Sequence, residues 1–483
     1  MSTKKKTGSK IATRGGVYSL IITSIVLAII IVLNVLVDKI PTNATKFDMS
    51  ATRLYSVTSN TKAVVNNLHQ NITIYWIVQA EKEDSVIDNL LRHYDDLSDH
   101  ITVEKINPDV RPTFTANYTD EKVENNSVIV ESGNRFRYIP YADIYITKTI
   151  NSYYGTTETL FDGEGAVTSA IDYVVTEDLP TLYVLEGHGE AKIEGDFADA
   201  IQKGNIKTVT FSLPNLTEIP KEADAVLIYG PQSDISDSEL EVLRDYLGSK
   251  GKLLVFSGPV ESGAELTNLN ALLKDYDVNV YPGIVIETDS MHYMATQYSA
   301  VPYYLMPNVQ DTEITAPLIK NKYYVIVPIA AGVKLGATSN VNDIIPLLTT
   351  TGTAFAKAAG YKMKDYEKEE GDADGPFVLG LQIKNYHSGA LVWFASSNML
   401  DSGPNSYSAG ANMDLAMSAL NSLIGERDAL TIPAKSMSVE QLTITDSAKT
   451  TLKILMLAVF PLVVFGAGII VLLYRRRVQN EKA

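Results

Sequence analysis

The sequence predicts an α/β protein in which two transmembrane helices flank an extracytoplasmic region, made of a small α/β domain and a larger, mostly parallel α/β domain. Two observations support this prediction. An uncharged run long enough to cross a bilayer stands near each end of the chain, and between these runs short apolar strands alternate with amphipathic helices. The length of 483 residues, 45% of them hydrophobic and 20% charged, is enough for several packed domains.

The first uncharged run covers residues 17–37 and follows a basic tail, residues 1–16. At about 1.5 Å per residue the run reaches roughly 30 Å, the thickness of a hydrocarbon core. The alternative is a cleaved signal peptide, but the apolar regions of signal peptides are typically only about 7 to 15 residues long. The run therefore predicts an uncleaved membrane anchor.

The second uncharged run covers residues 454–474 and leads directly into three arginines of a basic tail, residues 475–483. Basic flanks of membrane helices tend to stay in the cytoplasm. This tendency predicts a plasma-membrane protein with both termini cytoplasmic and residues from about 39 to 450 on the other side of the membrane.

Charge and cysteine content exclude several function classes. The chain carries −16, and because residues 1–38 and 453–483 each carry +4, residues 39–452 carry −24. Such an acidic region does not suit nucleic acid, whose phosphates are neutralised by Lys and Arg. The absence of cysteine excludes disulfides, thiolate metal sites and a Cys nucleophile.

The small α/β domain is predicted over residues 38–165. An apolar periodic stretch after Ser59 or Asn60, either of which can cap it, predicts a helix, and β-branched and aromatic residues at 71–80 predict a strand. A second helix, a second strand and a hairpin with its turn at Gly133-Asn134 complete the domain.

The larger domain is predicted over residues 178–425, with an irregular insertion at about 262–375. Near-continuous apolar strands separated by helices indicate a mostly parallel sheet that is covered on both faces. A stalk is expected at residues 426–453. The four strands that open the domain are predicted at residues 181–187, 207–213, 225–231 and 252–258.

Several stretches, in this order, are similar to successive blocks of the GldG-like, gliding-motility-type auxiliary proteins of ABC transport systems: FDMSATRLYSVTSNTKAVVNNL, LFDGEGAVTSAIDYVV, LYVLEGHGE, AVLIYGPQSDISDSELEVLRDYLGSKGKLLVFSGP and NMDLAMSALNSLIGERDALTIPAKSM. The resemblance implies a membrane component that works beside a separate ABC ATPase and permease, with no established enzymatic activity. It also implies that the larger domain is similar to class I glutamine-amidotransferase folds.

This implied fold raises an enzyme hypothesis, because such amidotransferases use a Cys nucleophile with a His partner. The chain has no Cys to supply that nucleophile. Ser257 is a conceivable substitute, but no Gly-x-Ser-x-Gly elbow surrounds it. We therefore expect no catalytic residue, and the alternative function is a membrane-tethered hydrolase acting on cell-envelope glycan or peptide.

Motifs for nucleotide and metal chemistry are also missing. The sequence contains neither a phosphate-binding Gly-x-x-x-x-Gly-Lys-Ser/Thr loop nor a His-Glu-x-x-His zinc motif. Residues 367–375 hold five acids, but they lack the further ligand positions of a calcium loop and are expected to be solvated. The sequence predicts no metal and no cofactor.

The candidate site is the turn after the first strand of the larger domain, formed by Glu186, Gly187, His188, Gly189 and Glu190. In parallel sheets, ligands bind beyond the carboxyl ends of the strands. Three interpretations are open: a hydrolytic or metal site that uses His188, a recognition site for a ligand or partner, and a tight turn without further function.

These observations predict a non-catalytic auxiliary membrane subunit of an ABC transport system. Its extracytoplasmic domains would couple a separate permease and ATPase to a substrate or to an envelope or other extracytoplasmic partner. The turn at residues 186–190 is the expected place of recognition.

Overall fold

The computed structural model describes residues 24–29, 32, 54, 56–151, 156–214, 216–295, 299–337, 339, 343–386, 388–425, 432, 434–437 and 453–480. These residues form a mixed α/β structure with a four-stranded sheet, a ten-stranded sheet and three sheets of three strands. The predicted basic tail at residues 1–16 and most of the predicted stalk at residues 426–453 lie outside the described residues.

The four-stranded sheet contains β1 (Ile72–Ile77), β2 (Ile101–Ile106), β3 (Ser127–Ser132) and β4 (Arg135–Ile139), in the order β2-β1-β3-β4. Strand β1 is parallel to β2 and antiparallel to β3. The helices of this region are α1 (Ser59–Asn66), α2 (Ser85–Leu97), α3 (Tyr141–Ile144) and α4 (Gly163–Val175). The predicted helices, strands and hairpin are confirmed, although the N-cap of α1 is Thr58 rather than Ser59 or Asn60.

The next strands are β5 (Tyr145–Asn151), β6 (Thr156–Phe161), β7 (Thr181–Leu185), β8 (Lys207–Phe211), β9 (Ala225–Tyr229), β10 (Lys252–Phe256), β11 (Val278–Tyr281), β12 (Ile284–Ile286), β13 (Tyr293–Ala295), β14 (Ala300–Leu305), β15 (Asn308–Val309), β16 (Val327–Pro328), β17 (Gly332–Leu335), β18 (Ile344–Thr349), β19 (Phe355–Lys357), β20 (Ala373–Asp374), β21 (Val378–Tyr386), β22 (Gly389–Phe394) and β23 (Lys435–Ser436).

The remaining helices are α5 (Asp196–Lys203), α6 (Asp237–Gly248), α7 (Thr267–Lys274), α8 (Ala316–Asn321), α9 (Ser402–Tyr407), α10 (Ala411–Ile424) and α11 (Phe460–Asn480). The ten-stranded sheet follows the order β11-β17-β21-β22-β10-β9-β7-β8, with β18 paired to β21 and β15 paired to β18. The three small sheets are β12-β19-β20, β13-β14-β16 and β23-β6-β5.

Both faces of the large sheet are buried. Along β9, Leu227 belongs to the core that contains side chains of α5 and α10, whereas its neighbours Val226 and Ile228 belong to the core that contains side chains of α6 and α7. All three side chains are fully buried. Because successive residues of a strand point to opposite faces, this is the reason for the near-continuous apolar sequence of the strand.

The prediction of a mostly parallel sheet is wrong, because the large sheet is mixed. Strands β8, β7, β9, β10 and β22 are parallel neighbours. Strand β21 is antiparallel to β22, and β17, β11 and β18 continue this antiparallel half. Apolar composition shows that a strand is buried on both faces, but its direction depends on the connections between strands. Four of the antiparallel strands, β11, β15, β17 and β18, come from the predicted insertion.

The prediction of two transmembrane helices is also wrong. In the described part of the chain, no helix combines the length and the apolar character that a membrane crossing requires. Of residues 17–37, only 24–29 and 32 are described. At the other end a π-helical turn, Leu455–Val459, precedes α11, and the uncharged part of α11, residues 460–474, covers only about 22 Å at about 1.5 Å per residue. The plasma-membrane localisation, with both termini cytoplasmic and residues 39–450 extracytoplasmic, depended on these spans and is contradicted with them.

Candidate functional site

The turn at residues 186–190 begins where β7 ends, at the carboxyl edge of the parallel half of the sheet. The Glu186 N–H donates to the Phe211 carbonyl at 2.8 Å, and the Ala191 N–H donates to the Tyr229 carbonyl at 2.8 Å. The turn is therefore held to both strands that neighbour β7. Gly187 and Gly189 have φ of 128° and 76°, and a Cβ at Gly189 would lie 3.0 Å from Gln232 Cβ, so this path requires glycine.

The His188 side chain is buried between two carboxylates. Its Nδ1 lies 3.1 Å from Glu190 Oε1, and its backbone N–H donates to Glu190 Oε2 at 2.7 Å. Its Nε2 lies 3.3 Å from Glu239. A neutral imidazole donates through one ring nitrogen only, whereas an imidazolium donates through both and satisfies both carboxylates.

Glu239 reaches this site from the first turn of α6. It forms a capping box in which Ser236 Oγ accepts from the Glu239 N–H and Glu239 Oε2 accepts from the Ser236 N–H at 2.7 Å. Both carboxylate oxygens lie 3.3 Å from His188 Nε2, but only Oε2 has hydrogen-bond geometry, and Oε1 is buried without a hydrogen-bond partner. Burial alone would raise the pKa of Glu239, but hydrogen bonds from Ser236 and the nearby His188 outweigh it and lower the pKa.

The His188 carbonyl fixes the other side of the turn. It accepts hydrogen bonds from the Gln232 N–H at 2.8 Å and from the Ser233 N–H at 3.0 Å. Sequence analysis did not find Glu239, Gln232 or Ser233 as parts of the site. The capping-box spacing of Ser236 and Glu239 was visible in the sequence, but it carries no information about which side chain lies against the helix start.

The structure therefore divides the five predicted residues into two groups. His188 and Glu190 are enclosed, and their polar atoms are used within the protein, which leaves no open base. Glu186, Gly187 and Gly189 are exposed. This arrangement can present a fixed backbone and one carboxylate to a partner.

The other two candidates from the sequence, Ser257 and the acidic loop at residues 367–375, form no catalytic or metal site in the described residues. Ser257 is buried after β10, its N–H donates to the Phe394 carbonyl, and its Oγ bonds to no histidine or carboxylate within the described residues. The prediction that the acidic loop is solvated is confirmed at residues 367–371, which are exposed; Glu369 also pairs with buried Lys357 at 3.1 Å, and Asp372 accepts from the Ala358 N–H. Across the described ranges, acidic and histidine side chains form no cluster of three that could hold a metal.

Comparison with known sequence families places this region in context. Residues 179–388 match a family described as "ABC-type uncharacterized transport system", and residues 51–146 match a domain of unknown function. No curated protein matches the chain. The class of protein that the first match supports is an auxiliary component of an ABC transport system. An auxiliary transport component is consistent with a protein that is not an enzyme.

Solved structures are similar to this chain only at low levels. The mmIFT52 N-terminal domain has a TM-score of 0.37 and 20% identity, covering 50% of this chain and 96% of that chain. A cytoplasmic protein from Salmonella typhimurium has a TM-score of 0.25 and 14% identity, covering 49% and 98%. An exo-beta-1,4-mannosidase from Opitutaceae bacterium strain TAV5 has a TM-score of 0.23 and 10% identity, covering 70% and 48%.

Proposed function

We propose that this protein is a non-catalytic auxiliary subunit of the GldG-like type, which couples a separate ABC permease and ATPase to a substrate or partner protein. The observation that carries the proposal is the family match over residues 179–388. The matched range contains the turn at residues 186–190 and the parallel strands that support it.

The turn is the proposed contact with the transport partner. Hydrogen bonds to β8, β9 and the Gln232-Ser233 loop fix its backbone, and a contact surface that is ordered before binding loses less conformational entropy on binding. The exposed Glu186 carboxylate supplies a charge that suits a basic patch on the partner.

The geometry of His188 supports a contact role over hydrolysis. A general base must reach the proton that it removes, within about 3 Å or through one water. The His188 ring is buried, and both of its nitrogens already face carboxylates of this chain.

The test is co-expression with candidate ABC ATPase and permease subunits from the same genome, followed by purification in mild detergent through a tag on the permease. We expect both the ATPase and this chain to be recovered in fixed ratio. Glu186→Lys is expected to reduce recovery of this chain at least about fivefold, because it reverses the one exposed side-chain charge of the turn.

The matched control is Glu194→Lys, an equally exposed charge reversal in the loop before α5. If the ATPase and permease are absent from the complex, the auxiliary assignment is wrong. If the complex forms but Glu186→Lys and Glu194→Lys behave alike, the assignment stands and the turn is not the contact.

A further inference from the structure

A cavity outside the turn at residues 186–190 is lined by residues of β4, α4 and α5 and by the start of β8. Its volume is about 510 Å³, within the range of about 300–1,000 Å³ that is usual for small-molecule sites. Arg137 and Tyr173 line it from one side, and Ala198 and Ile201 of α5 line it from the other.

The cavity wall combines an apolar surface with positive charge. Leu179, Ile193, Ala198, Ile201 and Ile206 supply the aliphatic part. The only charged side chains that line it among the described residues are Arg137 and Lys207, both cationic. The chain has a net charge of −16, so a cavity wall with two cations and no carboxylate differs from the rest of the protein. This local positive charge favours the binding of an anion.

Arg137 is held in place without being neutralised by an ion pair. Its guanidinium lies 4.0 Å from the Tyr173 ring centroid, and Nη1 donates to Asn205 Oδ1 at 2.8 Å and to the Gln202 carbonyl at 3.1 Å. Within the described residues no carboxylate oxygen comes within 4.0 Å of its nitrogens. Asp172, the acid that acts on it from further away, accepts from Asn205 Nδ2 at 2.9 Å.

Arg135 adds a second guanidinium, 4.6 Å from the same Tyr173 ring. Burial, in the first place, and this neighbouring charge lower the pKa of Arg137, although Tyr173 and Asp172 act in the other direction. Arg135 does not line the cavity, and its guanidinium donates to the Thr176 carbonyl, so Arg137 and Lys207 are the cations that an entering anion meets.

We propose that this cavity binds a small organic anion, with its carboxylate or phosphate group at Arg137 and its apolar body against the aliphatic wall of α5 and its neighbours. Arginine recognises such groups by charge-assisted hydrogen bonds, and the apolar body gains by leaving water. The site is separate from the turn at residues 186–190, so it does not depend on the proposed transport role.

The proposal is tested by isothermal titration calorimetry on the purified chain, with octanoate as the probe. We expect saturable binding of one octanoate per chain and at least about tenfold weaker binding of neutral octanamide, which has the same apolar body. Inorganic phosphate is expected to compete only weakly, because it lacks that body.

Two variants address the two parts of the cavity. Arg137→Gln is expected to weaken octanoate binding at least about tenfold, and Ala198→Phe, which fills the cavity without touching the hydrogen bonds of Arg137, is expected to abolish it. The control is Arg111→Gln. Arg111 lies between β2 and β3, does not line the cavity and has a side chain that is 57% exposed, so this change should not affect octanoate binding.

Each outcome decides the proposal. Equal affinity for octanoate and octanamide would show that charge is not recognised and would overturn it. The proposal would also be overturned if Ala198→Phe left octanoate binding unchanged, since octanoate would then bind outside this cavity. If Arg137→Gln does not fold, the octanamide comparison and Ala198→Phe still decide between these results.

Discussion

Glu164 and Lys435 form a buried ion pair between residues that lie far apart in the sequence. Their charged atoms are 2.7 Å apart, and the two residues are only 2% and 8% exposed. Glu164 Oε1 also accepts from the Thr58 N–H and, at 2.6 Å, from Thr61 Oγ1. Burying a charge is costly unless it is paired and hydrogen-bonded; here Lys435 pairs with Oε2, which has no hydrogen bond, and the two hydrogen bonds go to Oε1.

We predict that Glu164→Gln destabilises the protein by about 3–5 kcal/mol at pH 7, because it leaves the Lys435 charge buried without its partner. Burial raises the pKa of Glu164, but the Lys435 charge and the hydrogen bonds from Thr58 and Thr61 outweigh it, so the folded-state pKa is lowered from the ordinary 4.5. A carboxylate whose pKa is lower in the folded state than in the unfolded state stabilises the folded protein at any pH above the unfolded-state pKa. This stabilisation is lost as the pH falls through the folded-state pKa.

Denaturant unfolding between pH 7 and pH 3 measures this effect. The difference in unfolding free energy between the natural protein and Glu164→Gln should be constant near neutral pH and should shrink below about 4.5. Glu177→Gln, an exposed change just after α4, is the control and should have little effect at any pH. A difference that does not change with pH would refute this account of the ion pair.

At the scale of the element, helix α6 is predictable from sequence because its signals are local. Ser236 caps it, Glu239 completes the capping box, and Leu240, Leu243 and Leu247 form its buried face. The capping box also contacts the turn at residues 186–190, because the Glu239 carboxylate lies 3.3 Å from His188 Nε2. The stability of the helix start and the geometry of the turn are therefore connected through one carboxylate.

We predict that Ser236→Ala destabilises the protein by about 1 kcal/mol, the usual effect of losing an N-cap side chain. Denaturant unfolding at pH 7 gives the value. Ser249→Ala is the matched control, since Ser249 stands at the other end of α6 and caps it through its backbone. Equal effects of the two substitutions would contradict the role of the capping box.

At the scale of the whole molecule, the segment after α10 leaves the large sheet and joins the sheet formed by β5 and β6. Strand β23 pairs with β6, placing Lys435 opposite Phe161, and Lys435 Nζ donates to the Ser56 carbonyl. This pairing joins the segment after α10 to β6 and to the start of α1.

We predict that a chain ending at residue 425, which lacks β23, exchanges the amide hydrogens of β5 and β6 at least about tenfold faster, a change of about 1.4 kcal/mol in opening free energy. The amides of β9 and β10, which lie in the other sheet, should be unaffected. Hydrogen exchange followed by mass spectrometry measures both. A chain ending at residue 452 keeps β23 and should behave like the natural protein. Equal exchange in the two truncated chains would rule out this role of β23.

Much of the secondary structure could be predicted from the sequence, whereas strand direction could not, and the predicted membrane spans are wrong. Strands β7 to β10 follow the predicted positions because strand propensity and turn residues act within a few residues. The antiparallel half of the sheet was missed, since strand direction depends on the connections between strands and not on the residues of one strand. At the site, the turn was found but not Glu239.

The sequence by itself determined where strands β7 to β10 lie and where glycine permits the turn at residues 186–190. Only the tertiary structure decided which strands are antiparallel, that Glu239 encloses His188 from 51 positions away, and that Lys435 neutralises Glu164. The physical reason is the range of the forces: propensity and capping depend on neighbours in sequence, whereas burial and ion pairing depend on what the folded chain brings together.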